Sequence, residues 1–295
     1  MYNNQSSIRN KIQQGQFVTS VEINPPVGSF DLTDLITITQ HLYNSGIDTI
    51  NIADGPRALL RMSNSAMGQI IKLNTPVNPM LHVCCRDKSF LGLQSHLLGL
   101  HVLGFRDLCI VTGDPPNLGD YPNSTPVYDL DSIKLLSLIQ NYNLGIDPIG
   151  NQMPMTDFYC GTGVEPAAIN YQVELSRLKM KQDAGAAFVM TQPIYDLDRL
   201  DLFLEDMKKI KMPVLLGLCP LASYKNAMLL NEKIRGMSVP RYILDRMKKA
   251  DEIKVGKVEG ILIAREILHQ FKDKINGIYF MPQLKNYEVP LEILK

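Results

Sequence analysis

Polar side chains able to move protons stand at the ends of several apolar runs in this sequence. The stretch Leu108-Cys-Ile-Val-Thr-Gly-Asp-Pro-Pro116 begins with the composition of a buried strand. It breaks at Gly113-Asp114-Pro115-Pro116, because proline has no amide to donate to a sheet. The carboxyl of Asp114 therefore follows the C-terminal end of a strand. Phe17-Val-Thr-Ser-Val-Glu-Ile-Asn24 is stopped in the same way by Pro25-Pro26, which puts Glu22 near a second such end. Other strand ends carry Asn24, Asp54, His82 and Arg86, Thr112, Gln192 and, just beyond, Tyr224. Open α/β sheets and closed (β/α)8 barrels bind ligands at that end of their strands. Two carboxylates, a histidine, an amide and an aromatic ring around one apolar mouth suit acid/base chemistry on a planar, hydrogen-bonding ligand. For Asp114 a simpler role stands beside this one, the capping of a Gly-Asp-Pro turn.

These residues span some two hundred positions, so only a fold that gathers strand ends can make them neighbours. Ser45-Gly46-Ile-Asp-Thr-Ile50, Leu103-Gly104-Phe-Arg-Asp-Leu108 and Ala184-Gly185-Ala-Ala-Phe-Val189 each join a helix end, a glycine and the start of an apolar strand. Repeated helix–glycine–strand joints indicate β/α units, parallel strands and right-handed crossovers. Strands are predicted near 17–24, 48–53, 78–84, 107–112, 157–163, 187–192, 212–218 and 277–281. Helices fill the intervals near 31–44, 62–74, 89–103, 129–141, 171–184, 197–209, 222–233 and 253–272, with a short N-terminal helix at 5–13 and a last one from about 286. Eight strands alternating with helices favour a single-domain α/β structure, a (β/α)8 TIM barrel over residues 1–295. The one long loop, 143–156, is rich in Gly, Pro and Asn and should lie on the surface.

Composition narrows the partners. Thirty basic and thirty acidic residues cancel, so no general field favours nucleic acid or an anionic membrane. The first ten residues are polar and lack the core of a signal peptide, and no apolar run approaches the ~18 residues of a membrane span. These features predict a cytoplasmic protein. The cysteines at 84, 85, 109, 160 and 219 lie mostly in strand-like runs without a Cys-x-x-Cys pair, which reads as reduced, structural thiols. Neither a Gly-x-Gly-x-x-Gly nor a Gly-x4-Gly-Lys-Ser/Thr loop occurs, and the histidines at 41, 82, 96, 101 and 269 lack a metal-ligand spacing.

Several blocks, in order from about residue 10 to the C-terminus, resemble methylenetetrahydrofolate reductases. They are Val21-Glu22-Ile-Asn-Pro-Pro26, Asn51-Ile-Ala-Asp-Gly55, Arg61-Met-Ser-Asn64, His82-Val-Cys-Cys-Arg-Asp87, Val111-Thr-Gly-Asp-Pro-Pro116, Gly119-Asp-Tyr-Pro122, Val127-Tyr-Asp-Leu-Asp-Ser132, Met190-Thr-Gln-Pro-Ile-Tyr-Asp196 and Pro220-Leu-Ala-Ser-Tyr-Lys225. The likeness is greatest to the reductase half of bacterial fusions with a homocysteine methyltransferase module.

The resemblance implies a flavin-containing (β/α)8 barrel that reduces 5,10-methylenetetrahydrofolate to 5-methyltetrahydrofolate, a step of one-carbon metabolism and methionine biosynthesis. It implies FAD as the bound cofactor and NADH or NADPH as reductant. Glu22 matches the family's acid, which protonates N10 as the methylene bridge opens; that role asks for a desolvated carboxyl with a raised pKa. Asp114 matches a carboxylate near flavin and pterin, and Gln192 an amide that contacts folate and then nicotinamide. Tyr224 stands where the family often has phenylalanine, stacking on folate or nicotinamide. For the flavin the resemblance points to His82, Thr112, Gly113, Tyr128, Asp131, Glu174, Arg177 and Lys181, with Asp54 at the flavin face. Without the resemblance, Arg177 and Lys181, four apart on a helix, read as a solvated basic pair. Ala53-Asp54 replaces a Thr-Tyr pair and Thr112 an arginine of better-known members, so their cofactor preference does not transfer. Lys285 is the nearest cation to the family's folate-tail arginine. Two other readings remain open: a flavin-binding subunit that needs an electron-transfer partner, or a flavin-free barrel lyase or aldolase. A homo-oligomer is also compatible with the resemblance.

Overall fold

Eight short strands pair side by side until the last returns to the first. In the computed structural model, which describes residues 7–28, 31–233 and 236–295, β1 (Val18–Glu22), β2 (Thr49–Ile52), β3 (Met80–Cys84) and β4 (Asp107–Val111) are followed by β5 (Tyr159–Val164), β6 (Phe188–Thr191), β7 (Val214–Leu218) and β8 (Gly277–Phe280). All pairings are parallel and β1 pairs with both β2 and β8, which closes the barrel. The predicted (β/α)8 barrel and each of its strands are thus observed, with ends shifted by a residue or two. Residues 5 and 6, the expected start of the first helix, lie outside the described residues; α1 runs over Ser7–Gln13.

The intervening helices are α2 (Thr33–Asn44), α3 (Asn64–Asn74), α4 (Phe90–Val102), α5 (Ser132–Asn143), α6 (Tyr171–Asp183), α7 (Leu197–Ile210), α8 (Tyr224–Lys233), α9 (Arg241–Glu252), α10 (Gly256–Phe271) and α11 (Glu288–Leu294). Gly46, Gly104 and Gly185, the three joints read from the sequence, all have positive φ, so each turns the chain out of a helix and into the next strand. Helix α9 departs from expectation, since the sequence pattern predicts no element between 233 and 253. It follows Pro240 and buries only Ile243, Met247 and Ala250 on one stripe, against α8 and α10. It is the middle one of three helices in the β7–β8 crossover, and no strand follows it directly to announce its end. The 143–156 loop is mostly exposed, pinned by Thr156 and Phe158, whose Oγ1 and N–H donate to Oδ1 of Asn143 at 2.6 and 2.9 Å.

The barrel interior is filled by Val18, Met80, Cys109, Phe188, Met190, Leu215 and Tyr279, with Ile8 of α1 inserted among them. A larger apolar layer lies between the strands and the surrounding helices. The Phe188 ring spans the interior above Gly161, so closely that a Cβ at 161 would lie 2.3 Å from it. Tyr159 stacks on that ring at 5.3 Å, and the Arg9 guanidinium covers Tyr159 at 5.1 Å. The N-terminal helix therefore seals the end of the barrel opposite to the strand C-termini. No described helix is long and apolar enough to cross a membrane.

All five cysteines are free and buried. Burial pushes the Cys84 thiol up to about 11 and those of Cys85, Cys109 and Cys219 to about 12, and raises Cys160 as well.

Two outcomes follow from this packing. Gly161→Ala should cost about 1–3 kcal/mol by overpacking against Phe188, read as a lower denaturant midpoint at constant slope; an unchanged midpoint would show that the ring is free to move. Because a thiol with a raised pKa stays protonated until the pH approaches that value, a thiol reagent at about pH 8 should label the native protein negligibly and all five positions after denaturation. Fast labelling of any one native thiol would contradict its burial.

Candidate functional site

The strand C-termini open into a throat whose walls are polar, above the apolar floor built by Phe188. Glu22 is the last residue of β1 and half-buried. Its Oε2 accepts the hydroxyl of Tyr279 from β8, and its Oε1 accepts the Asn24 side-chain amide at 3.2 Å. Beside it in register is Asn51 of β2, fully buried, whose amide nitrogen donates to Ser20 Oγ at 2.6 Å. Next round the wall is His82 of β3. Burial holds the His82 imidazole below its usual pKa, against the opposing pull of the Glu22 and Asp54 carboxylates, so it is neutral near pH 7. Nε2 of His82 and Oδ1 of Asn51 are both buried and have no hydrogen-bond partner among the described residues. Such orphaned polar atoms cost about 1–3 kcal/mol each, and a ligand that supplied partners would recover it. Across the throat the added Cβ of an alanine at Gly163, in β5, would meet nothing within 4 Å, so the wall there is open.

The rim between β2, β3 and β4 is tied together by Arg86, whose side chain is 5% exposed. It donates to the Asp87 carboxylate, to the carbonyl of Asp114 at 3.1 Å and to the carbonyl of Gly55 at 3.2 Å. Asp114 itself is exposed; its Oδ2 accepts the backbone N–H of Arg57 at 2.8 Å, and Oδ1 has no partner among the described residues. That bond holds Arg57 and Ala58 at positive φ, an uncommon state for side-chain-bearing residues. The Asp114 side chain thus holds the neighbouring loop after β2 rather than capping its own Gly-Asp-Pro turn, and one oxygen still faces out. Gly113 has φ of 94° and leaves no room for a side chain, a Cβ there coming 2.2 Å from Cys84 Sγ.

The remaining predicted residues divide into those held by the fold and those left free. Asp54 accepts the Cys84 N–H at 3.1 Å and pairs with Lys88 at 3.0 Å. Thr112 bonds Ser132 Oγ at 3.1 Å, Tyr128 donates its hydroxyl to Gly113 O at 3.1 Å, and Asp131 caps α5 through the Lys134 N–H. Glu174 accepts the N–H of Glu165, just past β5, at 3.0 Å. Lys181 corrects the reading of a solvated basic pair. It is 8% exposed and donates to the carbonyl of Gly163 at 2.7 Å, and burial lowers its pKa. Only Arg177, half-buried, keeps its guanidinium without a partner among the described residues. The side-chain amide of Gln192, one residue past β6, is likewise unpaired there. Tyr224 starts α8 with its N–H on Asp251 and its ring against the core. Lys285, in the turn after β8, is exposed and at positive φ.

Asn51 and Tyr279 are the throat residues that sequence reading passed over. Both sit inside apolar strand runs, and the signal that could have found them is alternation: each faces inward two residues from a small or polar neighbour on its own strand, Thr49 and Gly277.

The family pattern described as methylenetetrahydrofolate reductase matches residues 7–295. A probable methylenetetrahydrofolate reductase (NADPH) of Caenorhabditis elegans is 27% identical over 61% of this chain and 26% of its own length. Methylenetetrahydrofolate reductase (NADH) 1 of Arabidopsis thaliana is 26% identical over 74% and 38%. The chain thus spans about a quarter to two-fifths of these relatives. The 5,10-methylenetetrahydrofolate reductase of Buchnera aphidicola subsp. Baizongia pistaciae is 22% identical over 94% of this chain and 90% of its own. Among solved structures, a Clostridium thermocellum protein that binds two copies of 5-methyl-5,6,7,8-tetrahydrofolic acid superposes with a TM-score of 0.69 at 15% identity, covering 98% of both chains, a likeness of fold. A pattern matched along the whole described barrel places this chain in the methylenetetrahydrofolate reductase family.

Proposed function

We propose that this chain reduces 5,10-methylenetetrahydrofolate to 5-methyltetrahydrofolate, with FAD as the hydride carrier and NADH or NADPH as the reductant that recharges it. The observation that carries the reading is the throat itself, in a member of this family. A carboxyl, Glu22, shares the throat with a neutral histidine and an amide oxygen that both lack partners among the described residues, above a sealed apolar floor. Those orphaned atoms and the open wall at Gly163 fit a flat, hydrogen-bonding ring system entering from the strand ends.

For FAD, His82, Thr112, Gly113 and Asp54 would border the ring. Tyr128, Asp131, Glu174, Arg177 and Lys181 would border the ribityl chain and phosphates. Arg177 is the cation of that group without a partner among the described residues, while Lys181, already bonded to Gly163, shapes the wall. When bound, the flavin supplies a two-electron hydride carrier. Glu22 gives its proton to N10 of the folate, which lets the N10–methylene bond open to a 5-iminium cation. The free oxygen of Asp114 favours that cation electrostatically and hydrogen-bonds the pterin. Gln192 offers donor and acceptor together, which suits the pterin edge and a nicotinamide carboxamide in turn. The Tyr224 ring provides a stacking surface, and Lys285 a cation for the folate's glutamate tail.

The visible spectrum of the purified protein, before and after anaerobic 5-methyltetrahydrofolate, tests this. A yellow protein that bleaches on addition is the expected result, since the folate half-reaction then runs in reverse onto the flavin. A protein that neither binds FAD nor turns over folate would remove the reading and leave a barrel lyase or aldolase. Bleaching by folate without reduction by either nicotinamide would point to a partner protein as electron donor. Glu22→Gln should keep the flavin absorbance and lose folate reduction by ~10²–10⁴-fold, the usual worth of a positioned acid; full activity in that variant would sink the assignment.

A further inference from the structure

Tyr279 is the polar group of the throat that the proposed chemistry leaves unused. It lies on β8 in register with Ser20 of β1, two residues before Glu22 on that strand. Its ring belongs to the apolar interior and is 7% exposed, and its hydroxyl donates to Glu22 Oε2. The other carboxyl oxygen takes the Asn24 amide. The two oxygens of Glu22 are thus distinguished by what holds them, one by a rigid buried phenol and one by an amide at the rim. Burial, and next the charge of Glu22, raise the Tyr279 phenol well above its ordinary pKa, so it keeps its own proton throughout. It is no acid or base in its own right. What a phenol can do beside a carboxyl is accept from the protonated form and donate to the anion, neither of which phenylalanine can do.

We infer that Tyr279 is the positioning residue of Glu22, fixing the orientation of its carboxyl and stabilising the carboxylate left behind when the proton departs. The inference rests on Glu22 acting as the acid of the proposed function. In that step the Glu22 O–H bond breaks and N10 gains the proton. The N10–methylene bond breaks with its electron pair going to N10, and the N5 lone pair forms the iminium bond. The negative charge appears on Glu22, where the Tyr279 hydroxyl already points. A preplaced donor of this kind needs no reorganisation when the charge forms.

Tyr279→Phe removes one oxygen and leaves the ring in the packed interior. Compared with wild type, Glu22→Gln and the double variant, it should retain flavin absorbance, hold the folate KM within about 2-fold and leave flavin reduction by nicotinamide unchanged. Its folate half-reaction should slow by roughly 10-fold. The limb of the rate–pH profile that depends on Glu22 should move to higher pH, because the anion has lost a donor and holds its proton more tightly. In the Glu22→Gln background the same change should add nothing. An unshifted profile, or losses that multiply in the double variant, would overturn the inference. If Tyr279→Phe does not accumulate folded, fluorotyrosine at 279 keeps the ring with a more acidic hydroxyl and should move the limb to lower pH. Should the wild type prove inert to folate, the reductase reading fails alone. The infrared carboxyl band lost in Glu22→Gln then decides, its titration midpoint rising in Tyr279→Phe if the pair is as described and staying put if it is not.

Discussion

The site depends on the Phe188 ring packed closely against Gly161. A closed parallel barrel has no interior to spare, because each strand sends every second side chain inward and those side chains must fill the space. Here one aromatic ring, admitted by the missing Cβ opposite and stacked on Tyr159, fills the floor with apolar material. Above that floor the inward positions are released from packing and turn polar: Ser20 and Glu22, Asn51, His82 and the hydroxyl end of Tyr279. Polar groups in a low-dielectric throat interact strongly and are costly when unpaired. Those left unpaired mark where a ligand is wanted.

The rim obeys a different constraint. Arg86 and Asp114 stitch the loops after β2 and β4 into one unit, and Gly119 lies so close beneath Ala58 that a Cβ would fall 1.9 Å from its carbonyl oxygen. The positive φ values at Arg57 and Ala58 are retained because these contacts over-determine the loop. Strain concentrated beside a site is a common consequence of preorganisation. It places the exposed oxygen of Asp114 on rigid scaffolding rather than on a wandering loop.

The sequence was most legible where local chemistry and fold agree. Proline pairs after β1 and β4 end strands visibly, and glycines at 46, 104 and 185 announce the next strand, so all eight strands could be placed. Helix α9 escaped because it is an addition to the βα rhythm, polar on most of its surface and with no strand after it. In the site, Glu22, His82 and Asp114 stood out as polar residues at apolar run ends. Tyr279 did not, because in Gly277-Ile-Tyr-Phe280 an aromatic reads as core, and half of it is. Lys181 looked like surface charge because helical spacing says nothing of how far a long side chain reaches back toward a strand carbonyl.

The short α1 helix, at the end of the barrel far from any chemistry, has its own bearing on how the throat is used. With Ile8 driven into the interior and Arg9 laid over Tyr159, the barrel is a blind well with one opening. Whatever enters must leave by the same way, and a flat molecule seated in the throat is also its stopper. Two ligands that both need the walls of such a well cannot pass each other.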